Sequence, residues 1–225
     1  MVNDVSLRAQ VVLFEQLSGL VEERAAHPRD DLLSGLCAAE IDDGDGGRRQ
    51  LTRDETVGFA NLLFSAGTET VRRLLGDTGV VLAHHPEQRA ALVSGPEIVP
   101  NAVKELLRFE APSPVQGRWT TRPVTVHGAE IPAGSKVLLL TGSAGRDARA
   151  FPDPDRFDVR RRMAHHLSFG CGVHFCVGAA LARLEGRVAL EETLRRFPEW
   201  DLDTEQVVRQ HTSTVRGYSQ VGIGL

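Results

Sequence analysis

The chain has 225 residues, of which 41% are apolar and 25% charged, and it contains 22 Gly and 11 Pro. These values are typical of a globular protein and exclude collagen-like, low-complexity and disordered sequences. Its 26 Lys and Arg residues against 30 Asp and Glu give a net charge of −4, which argues against nucleic acid or an anionic membrane as the partner. A small molecule is therefore the expected partner.

Three cysteines, Cys37, Cys171 and Cys176, are too few and odd in number for a disulfide framework. We therefore expect free thiols and a reducing compartment. No stretch reaches the roughly 18 apolar residues that a membrane-spanning helix needs, and the first ten residues lack the pattern of a signal peptide. The sequence thus predicts a cytoplasmic protein without a membrane segment.

Helical patterns dominate the first half of the chain. Apolar spacing predicts an amphipathic helix over 11–24, and a shorter helix over 31–41 follows it. A run of Asp and Gly at 42–47 lacks the ligand spacing and the closing Glu of an EF-hand calcium loop. We interpret this run as a solvated connection.

A long helix is predicted over about 52–85. Thr52 and Glu55 fit a capping box, and Pro86 gives the first firm stop downstream. Gly67 lies in the interior of this helix, where Gly costs about 1 kcal/mol relative to Ala. Such a cost needs a reason, which is either tight packing at this position or a functional requirement.

The rest of the chain mixes helices with short strands. A small sheet is predicted over about 118–140, because strand-like pieces alternate there with Gly-containing turns, and a weak hairpin is predicted from residue 207. Helices are predicted over 86–93, about 100–110 and about 177–197. The expected fold class is mainly α with a small β component, and no linker splits the chain into independent domains.

The segment 169–178 reads Phe-Gly-Cys-Gly-Val-His-Phe-Cys-Val-Gly and directly precedes a predicted helix. Gly170 and Gly172 permit a tight loop beneath a flat ligand, and Gly178 permits close approach of the helix. Cys176 lies at the helix N-terminus, where amide donors and the helix dipole favour a thiolate. The pattern predicts that this sulfur is a metal ligand or a nucleophile.

This segment resembles the haem-binding loop of the cytochrome P450 monooxygenases, Phe-Gly-x-Gly-x-His-x-Cys-x-Gly, at every fixed position, and the likeness continues through Leu181-Ala182-Arg183. Glu105 and Arg108 match the family's Glu-x-x-Arg helix. The pentapeptide 66–70, Ala-Gly-Thr-Glu-Thr, matches its oxygen-groove motif, although Val71 stands where the family often has a second hydroxyl residue.

The resemblance implies an incomplete cytochrome P450 fold, the C-terminal part of a single domain, that binds haem b. It implies that Cys176 is the iron ligand and that Arg118 and His174 bind the haem propionates. The implied cofactor-binding residues are Ala66, Arg118, Phe169, Gly170, His174, Cys176 and Gly178. The segment 151–157 resembles the family's meander, which implies that Arg156 completes a network with Glu105 and Arg108.

In the oxygen-groove helix, the resemblance gives the catalytic roles to Glu69 and Thr70. Glu69 would relay protons from solvent, and Thr70 would hold the oxygen species and a water molecule. Thr70 can return its hydroxyl to the carbonyl of Ala66, and Gly67 leaves room for the helix ladder to open locally. Such an opening would form the groove for dioxygen.

The implied reaction inserts one oxygen atom of O2 into a small lipophilic substrate, with electrons from a ferredoxin or flavodoxin and its reductase. The basic cluster 160–162 is either part of the docking patch for an acidic partner or a solvated face. The family pattern implies a mostly apolar pocket lined by Leu62, Leu63, Ala66, Val115, Gln116 and the turn 212–214.

Three alternatives remain open. The sequence begins in the helices just before the family's long helix, so we expect a fragment, a truncated gene product, or half of an enzyme completed by a second chain. A non-catalytic homologue that acts as an interaction or accessory protein is the second alternative. A zinc module using Cys171, His174 and Cys176 is the third, although three ligands crowded into six residues are unusual for structural zinc.

Overall fold

The computed structural model describes residues 4–212 and 214–225. The chain divides into two compact units, residues 1–68 and residues 69–225, and the boundary falls inside a long helix. Within the described residues, no helix is both long enough and apolar enough to span a membrane.

The first unit is helical with one small hairpin. Its elements are α1 (Asp4–Ala26), α2 (Leu32–Cys37), β1 (Glu40–Asp42), β2 (Arg48–Gln50) and the first half of α3 (Arg53–His84). The run 42–47 is the turn between β1 and β2, which pair antiparallel. Asp43 Oδ1 accepts hydrogen bonds from the amides of Asp45 and Gly47, both at 2.9 Å. These strands were missed, because three-residue strands with charged side chains carry no apolar alternation.

The start of α3 has the predicted capping box. The Thr52 amide donates to Glu55 Oε2 at 2.8 Å, and the Glu55 amide donates to Thr52 Oγ1 at 3.3 Å. Two otherwise unsatisfied amides are thus paired reciprocally. The helix then continues for 32 residues to His84, close to the predicted bounds.

The core of the second unit lies among the end of α3, α5 and α7. The helices after α3 are α4 (Pro86–Ser94), a 3₁₀ turn (Pro96–Ile98), α5 (Val99–Phe109), α6 (Thr141–Ala144) and α7 (Ala179–Arg196). A Cβ added to Gly186 of α7 would lie 3.2 Å from Val103 and 3.3 Å from Leu74. The absence of a side chain at Gly186 therefore lets three helices approach closely. Fully buried members of this core include Leu82, Leu92, Val99, Leu106, Phe157 and Val159.

The predicted sheet is two separate two-stranded ladders. β3 (Gln116–Trp119) pairs with β6 (Lys136–Leu139), and β4 (Val124–Val126) pairs with β5 (Ala129–Ile131), all antiparallel. His127 and Gly128 form the turn between β4 and β5 with φ of 48° and 81°. The strand β5 was not predicted, because only one of its three residues is strongly apolar.

The chain ends in a hairpin of β7 (Asp201–His211) and β8 (Arg216–Gly224), hereafter the C-terminal hairpin. The hairpin was predicted, but it begins six residues earlier than expected. It packs against the second half of α3: a Cβ on Gly79 would lie 3.8 Å from Ile223 and 3.9 Å from Val221. The hairpin therefore covers the face of α3 on which Gly76 and Gly79 lie.

Candidate cofactor site

The loop before α7 is closed by backbone hydrogen bonds around two glycines. Gly170 and Gly172 adopt φ of +70° and +65°, values that side-chain-bearing residues rarely adopt. The Cys176 amide donates to the carbonyl of Phe169 at 2.9 Å, and the Phe175 amide donates to the carbonyl of Gly172 at 3.0 Å. The loop therefore has a defined shape with the Cys176 side chain exposed.

The Cys176 thiol stands at the entrance of α7. The Ala179 amide donates to the Cys176 carbonyl at 3.2 Å, and Gly178 is the N-cap residue of the helix. A Cβ added to Gly178 would meet no atom within 4 Å, so this side of the loop is open. The positive end of the helix dipole of α7 thus lies on the side of Cys176. As expected, Cys37, Cys171 and Cys176 are all free thiols.

Aromatic rings and one guanidinium group support the loop from within. The Phe169 ring lies 5.6 Å from His166 and 6.4 Å from Phe175, centre to centre. The guanidinium carbon of Arg183 lies 4.6 Å from the centre of the Phe169 ring, a cation–π contact. Burial, together with the charges of Arg183 and Lys104, lowers the pKa of His166 to about 4, so this ring is neutral at physiological pH.

The start of the loop is tied to α5. Ser168 Oγ donates to the carbonyl of Leu107 at 2.6 Å. The same helix carries a fully buried ion pair, in which Arg108 donates to both Glu105 oxygens at 2.7 and 2.8 Å. Arg108 Nη1 also donates to the carbonyl of Gly145 at 2.6 Å. The pair is therefore not the weak surface salt bridge that its spacing alone would favour.

The third member of this network is Arg161, and the prediction of Arg156 was wrong. Arg161 Nε donates to Glu105 Oε1 at 3.1 Å. Arg156 contributes only its carbonyl, which accepts from Arg161 Nη2 at 2.7 Å and from Arg108 Nη2 at 3.3 Å. Residues 158–161 form a turn in which the Arg161 amide donates to the Asp158 carbonyl at 3.0 Å. Phe157, Val159 and Arg161 are buried, and the Arg156 side chain faces solvent.

Exposed side chains of the Cys176 loop, together with Arg118 on β3, have the chemistry that a haem requires. Val173 and Val177 are 98% and 79% exposed, so apolar surface flanks the thiol. Arg118, on β3, and His174, in the loop, are also exposed, and both are donors suited to carboxylates. One soft sulfur, apolar flanks and two donors fit an iron porphyrin with propionate groups.

A zinc site receives no support. Among residues 4–212 and 214–225, no group of three or more His, Cys, Asp or Glu side chains is placed to hold a metal ion. Cys171, His174 and Cys176, the ligands of the zinc alternative, are therefore not placed to hold one metal ion together. A haem needs only one of these side chains as its iron ligand.

The predicted oxygen-groove motif lies on α3, which stays α-helical throughout 66–70. The expected local opening of the helix at Gly67 is therefore absent, since the backbone ladder remains intact there. Glu69 is bonded on both sides, because Arg72 donates to its Oε2 at 2.8 Å and Arg73 Nε donates to its Oε1 at 2.8 Å. Burial raises the pKa of Glu69, but these two guanidinium groups outweigh it and hold the pKa below its ordinary value.

The predicted pocket residues fall in different elements. Leu62 and Leu63 lie on α3, while Val115 and Gln116 lie at the start of β3. Leu62 is 58% exposed, and Leu63 is half-buried. The turn 212–214 includes Ser213, which lies outside the described residues.

Comparisons with known proteins agree with this geometry. The sequence profile described as cytochrome P450 matches residues 96–219, which is more than half of the chain. The chain belongs to the cytochrome P450 family. Its relatives include 6-deoxyerythronolide B hydroxylase of Saccharopolyspora erythraea, which is 43% identical over 208 residues, and the P450 monooxygenase PikC of Streptomyces venezuelae, which is 38% identical over 226 residues.

The P450 fold is also found in solved structures that resemble this chain. The P450 PksS of Bacillus subtilis matches 99% of this chain with a TM-score of 0.90 and a sequence identity of 33%. The hydroxylase HmtN of himastatin biosynthesis matches 97% of this chain with a TM-score of 0.89 and a sequence identity of 38%. The chain covers 57% and 58% of those two chains, and 50% and 53% of the two curated relatives. This P450 chain therefore spans about half the length of the relatives that it matches.

Proposed function

We propose that this chain is the haem-binding part of a monooxygenase that inserts one oxygen atom of O2 into a small lipophilic substrate. The observation that carries the proposal is the closed loop that presents the exposed Cys176 thiol at the N-terminus of α7. The hydroxylase and monooxygenase names of the relatives support the same reaction class. A haem with a thiolate ligand supplies the activation of dioxygen.

In this proposal, Cys176 holds the iron of haem b as a thiolate. The Cys176 amide is already bonded to the Phe169 carbonyl, so the backbone at this residue is held in place. Gly170 and Gly178 carry no side chains, which leaves room for a flat ligand beside the thiol. Arg118 and His174 bind the two propionate groups through charged and ring N–H donors.

Glu69, Thr70 and Ala66 have the proposed roles on the oxygen side. Ala66, which the motif match assigns to cofactor binding, carries only a methyl group. The carboxylate of Glu69 is 33% exposed, which permits exchange of its proton with solvent. Glu69 then passes protons inward, and the hydroxyl of Thr70 orients a water molecule beside it.

The substrate and the electron donor are proposed by class only. The exposed Leu62 supports an apolar substrate. A ferredoxin or flavodoxin with its reductase would supply electrons. Arg160 and Arg162 are exposed on the meander and are available to an acidic partner, whereas Arg161 is buried on Glu105 and is not. A second chain that completes the haem cavity, and a cytoplasmic location, also belong to this proposal.

The test is the absorption spectrum of the chain loaded with hemin, reduced and exposed to carbon monoxide. We expect the red-shifted Soret band that a thiolate ligand produces. Cys176→Ser should abolish the band, while the matched variant Cys171→Ser, in the same loop, should retain it. The measurement is made on the chain alone and on a fusion that carries the amino-terminal half of PikC before Met1.

Two outcomes would contradict the proposal. If both proteins fold but remain colourless after incubation with hemin, the chain is better explained as a non-catalytic interaction protein. If the band survives Cys176→Ser and disappears in Cys171→Ser, then the iron ligand has been assigned to the wrong residue.

A further inference from the structure

Arg73 is a fully buried arginine that has no role in the proposed reaction as stated so far. It lies on α3, one turn after Glu69, with its side chain 0% exposed. Arg73 Nε donates to Glu69 Oε1 at 2.8 Å, and its Nη1 donates to the carbonyl of Tyr218 at 2.5 Å. Its Nη2 contacts both Glu69 Oε1 and Gln210 Oε1. One guanidinium group therefore joins the Glu69 carboxylate to both strands of the C-terminal hairpin.

The C-terminal hairpin packs closely against the Arg73 side chain at Gly217. Gly217 of β8 adopts a φ of +152°, and a Cβ there would lie 2.6 Å from Arg73 Cδ and 3.0 Å from Arg73 Cβ. Any side chain at Gly217 would thus collide with the stem of Arg73. The strand runs close to the arginine because residue 217 lacks a Cβ.

The neighbouring arginine provides a natural comparison. Arg72 also pairs with Glu69, through Oε2 at 2.8 Å, but its side chain is 62% exposed. Both arginines therefore place positive charge on the same carboxylate, and the contacts to Gln210 and Tyr218 belong to Arg73. A change at Arg72 alters the charge near Glu69 without removing those contacts.

We propose that Arg73 is a positioning residue that couples the docking of the C-terminal hairpin to the Glu69 carboxylate. Because Nη2 is shared between Glu69 and Gln210, a displacement of the hairpin changes how firmly the guanidinium group is held against Glu69. A substrate that moves the hairpin would in this way adjust the carboxylate that passes protons. The proposal rests on the proton-relay role of Glu69 in the proposed function.

Coupling is reciprocal, so it can be measured from both ends without haem. The first measurement is amide hydrogen exchange of β8 in the complete chain. Arg73→Met should speed exchange about tenfold, since a buried charged contact is lost. Glu69→Gln should speed it about fivefold through Arg73, and should add little in the Arg73→Met background. Arg72→Met should leave β8 unchanged.

The second measurement is the titration of the Glu69 carboxyl, followed by NMR. The charged groups that face this carboxylate are the guanidinium groups of Arg72 and Arg73, while Gln210 and the Tyr218 carbonyl on the hairpin are neutral. Arg73→Met should raise the pKa of Glu69. Gln210→Ala should raise it less, because the guanidinium group is then less firmly held. If the hairpin contact had a purely structural role, Gln210→Ala would leave the pKa of Glu69 unchanged.

The proposal is overturned if Glu69→Gln leaves exchange in β8 unchanged and Gln210→Ala leaves the Glu69 titration unchanged. Glu69→Gln and Gln210→Ala are mild changes, so the two-ended test stands even if Arg73→Met fails to fold. Since neither measurement uses haem, a negative result would leave the monooxygenase proposal intact. A chain that shows this coupling but no thiolate band with carbon monoxide would fail the monooxygenase proposal alone.

Discussion

Replacing Asp77 with Asn should make the stability of the chain less dependent on pH. Asp77 lies on α3 and is 2% exposed, and its Oδ2 is buried without a hydrogen-bond partner. Burial, reinforced by the charge of Glu110, raises its pKa to about 7, although Arg216 and Arg209 partly oppose the change. The folded chain therefore holds a proton on Asp77 that the unfolded chain, with an ordinary value of 3.8, releases.

The sign and size follow from proton linkage. A raised pKa stabilises the folded state fully below pH 4, and this stability is lost as the pH rises to about 7. Between pH 5 and pH 8 the loss is about 2.5 kcal/mol in the free energy of unfolding, from about 1.4 kcal/mol for each pH unit below the folded-state pKa. Asp77→Asn, which is neutral at every pH, cannot show this loss.

Urea unfolding of both proteins at pH 5, 6, 7 and 8 measures the effect. Relative to the parent chain, Asp77→Asn should gain about 2.5 kcal/mol in the free energy of unfolding between pH 5 and pH 8. Asp201→Asn, at an exposed position on β7, is the matched control and should give a constant difference. Parallel pH curves for Asp77→Asn and the parent would refute the assignment of a buried, protonated Asp77.

Three further predictions concern stability. Arg161→Ala should lower the free energy of unfolding by about 3 kcal/mol, because it leaves the buried Glu105 carboxylate partly uncompensated. Arg156→Ala should change the free energy of unfolding by less than about 0.5 kcal/mol. Equal losses for the two variants in denaturant unfolding would contradict the network described above. Gly217→Ala should lower the free energy of unfolding by about 2 kcal/mol or more, because its Cβ would collide with Arg73. An unchanged free energy of unfolding in the same assay would mean that β8 does not pack tightly against Arg73. Thr52→Ala should cost about 1 kcal/mol by removing the cap of α3, and thermal unfolding that shows no loss would count against the capping box.

Capping residues and prolines in the sequence predicted where the helices α3, α4 and α5 begin. The start of α3 was predicted from Thr52 and Glu55 because a capping box is a local interaction between neighbours in sequence. Pro86 and Pro100 likewise identified the first turns of α4 and α5. The strands β1, β2 and β5 were missed, because they are three residues long with few apolar side chains and are formed by pairing with their partner strands.

The site was predicted unevenly, and the reason is the range of the interactions. The Cys176 loop is specified by residues within ten positions of one another, so its fixed glycines identified it. The partner of Glu105 lies 56 residues away, and a choice between Arg156 and Arg161 depends on which of them points inward. Arg73 was overlooked entirely. Its role arises from contacts with β7 and β8 more than 130 residues away, which no local pattern records.

The Cys176 loop is held between two helices that are themselves fixed together. Its start is anchored by Ser168 on the Leu107 carbonyl of α5, and its end continues into α7. The two helices pack closely where Gly186 meets Val103, so the two ends of the loop cannot move independently. The buried pair on α5 adds a third constraint by holding the meander that leads into the loop. The backbone that carries the thiol is therefore held in place by the protein itself, as the proposed role of Cys176 as a metal ligand requires.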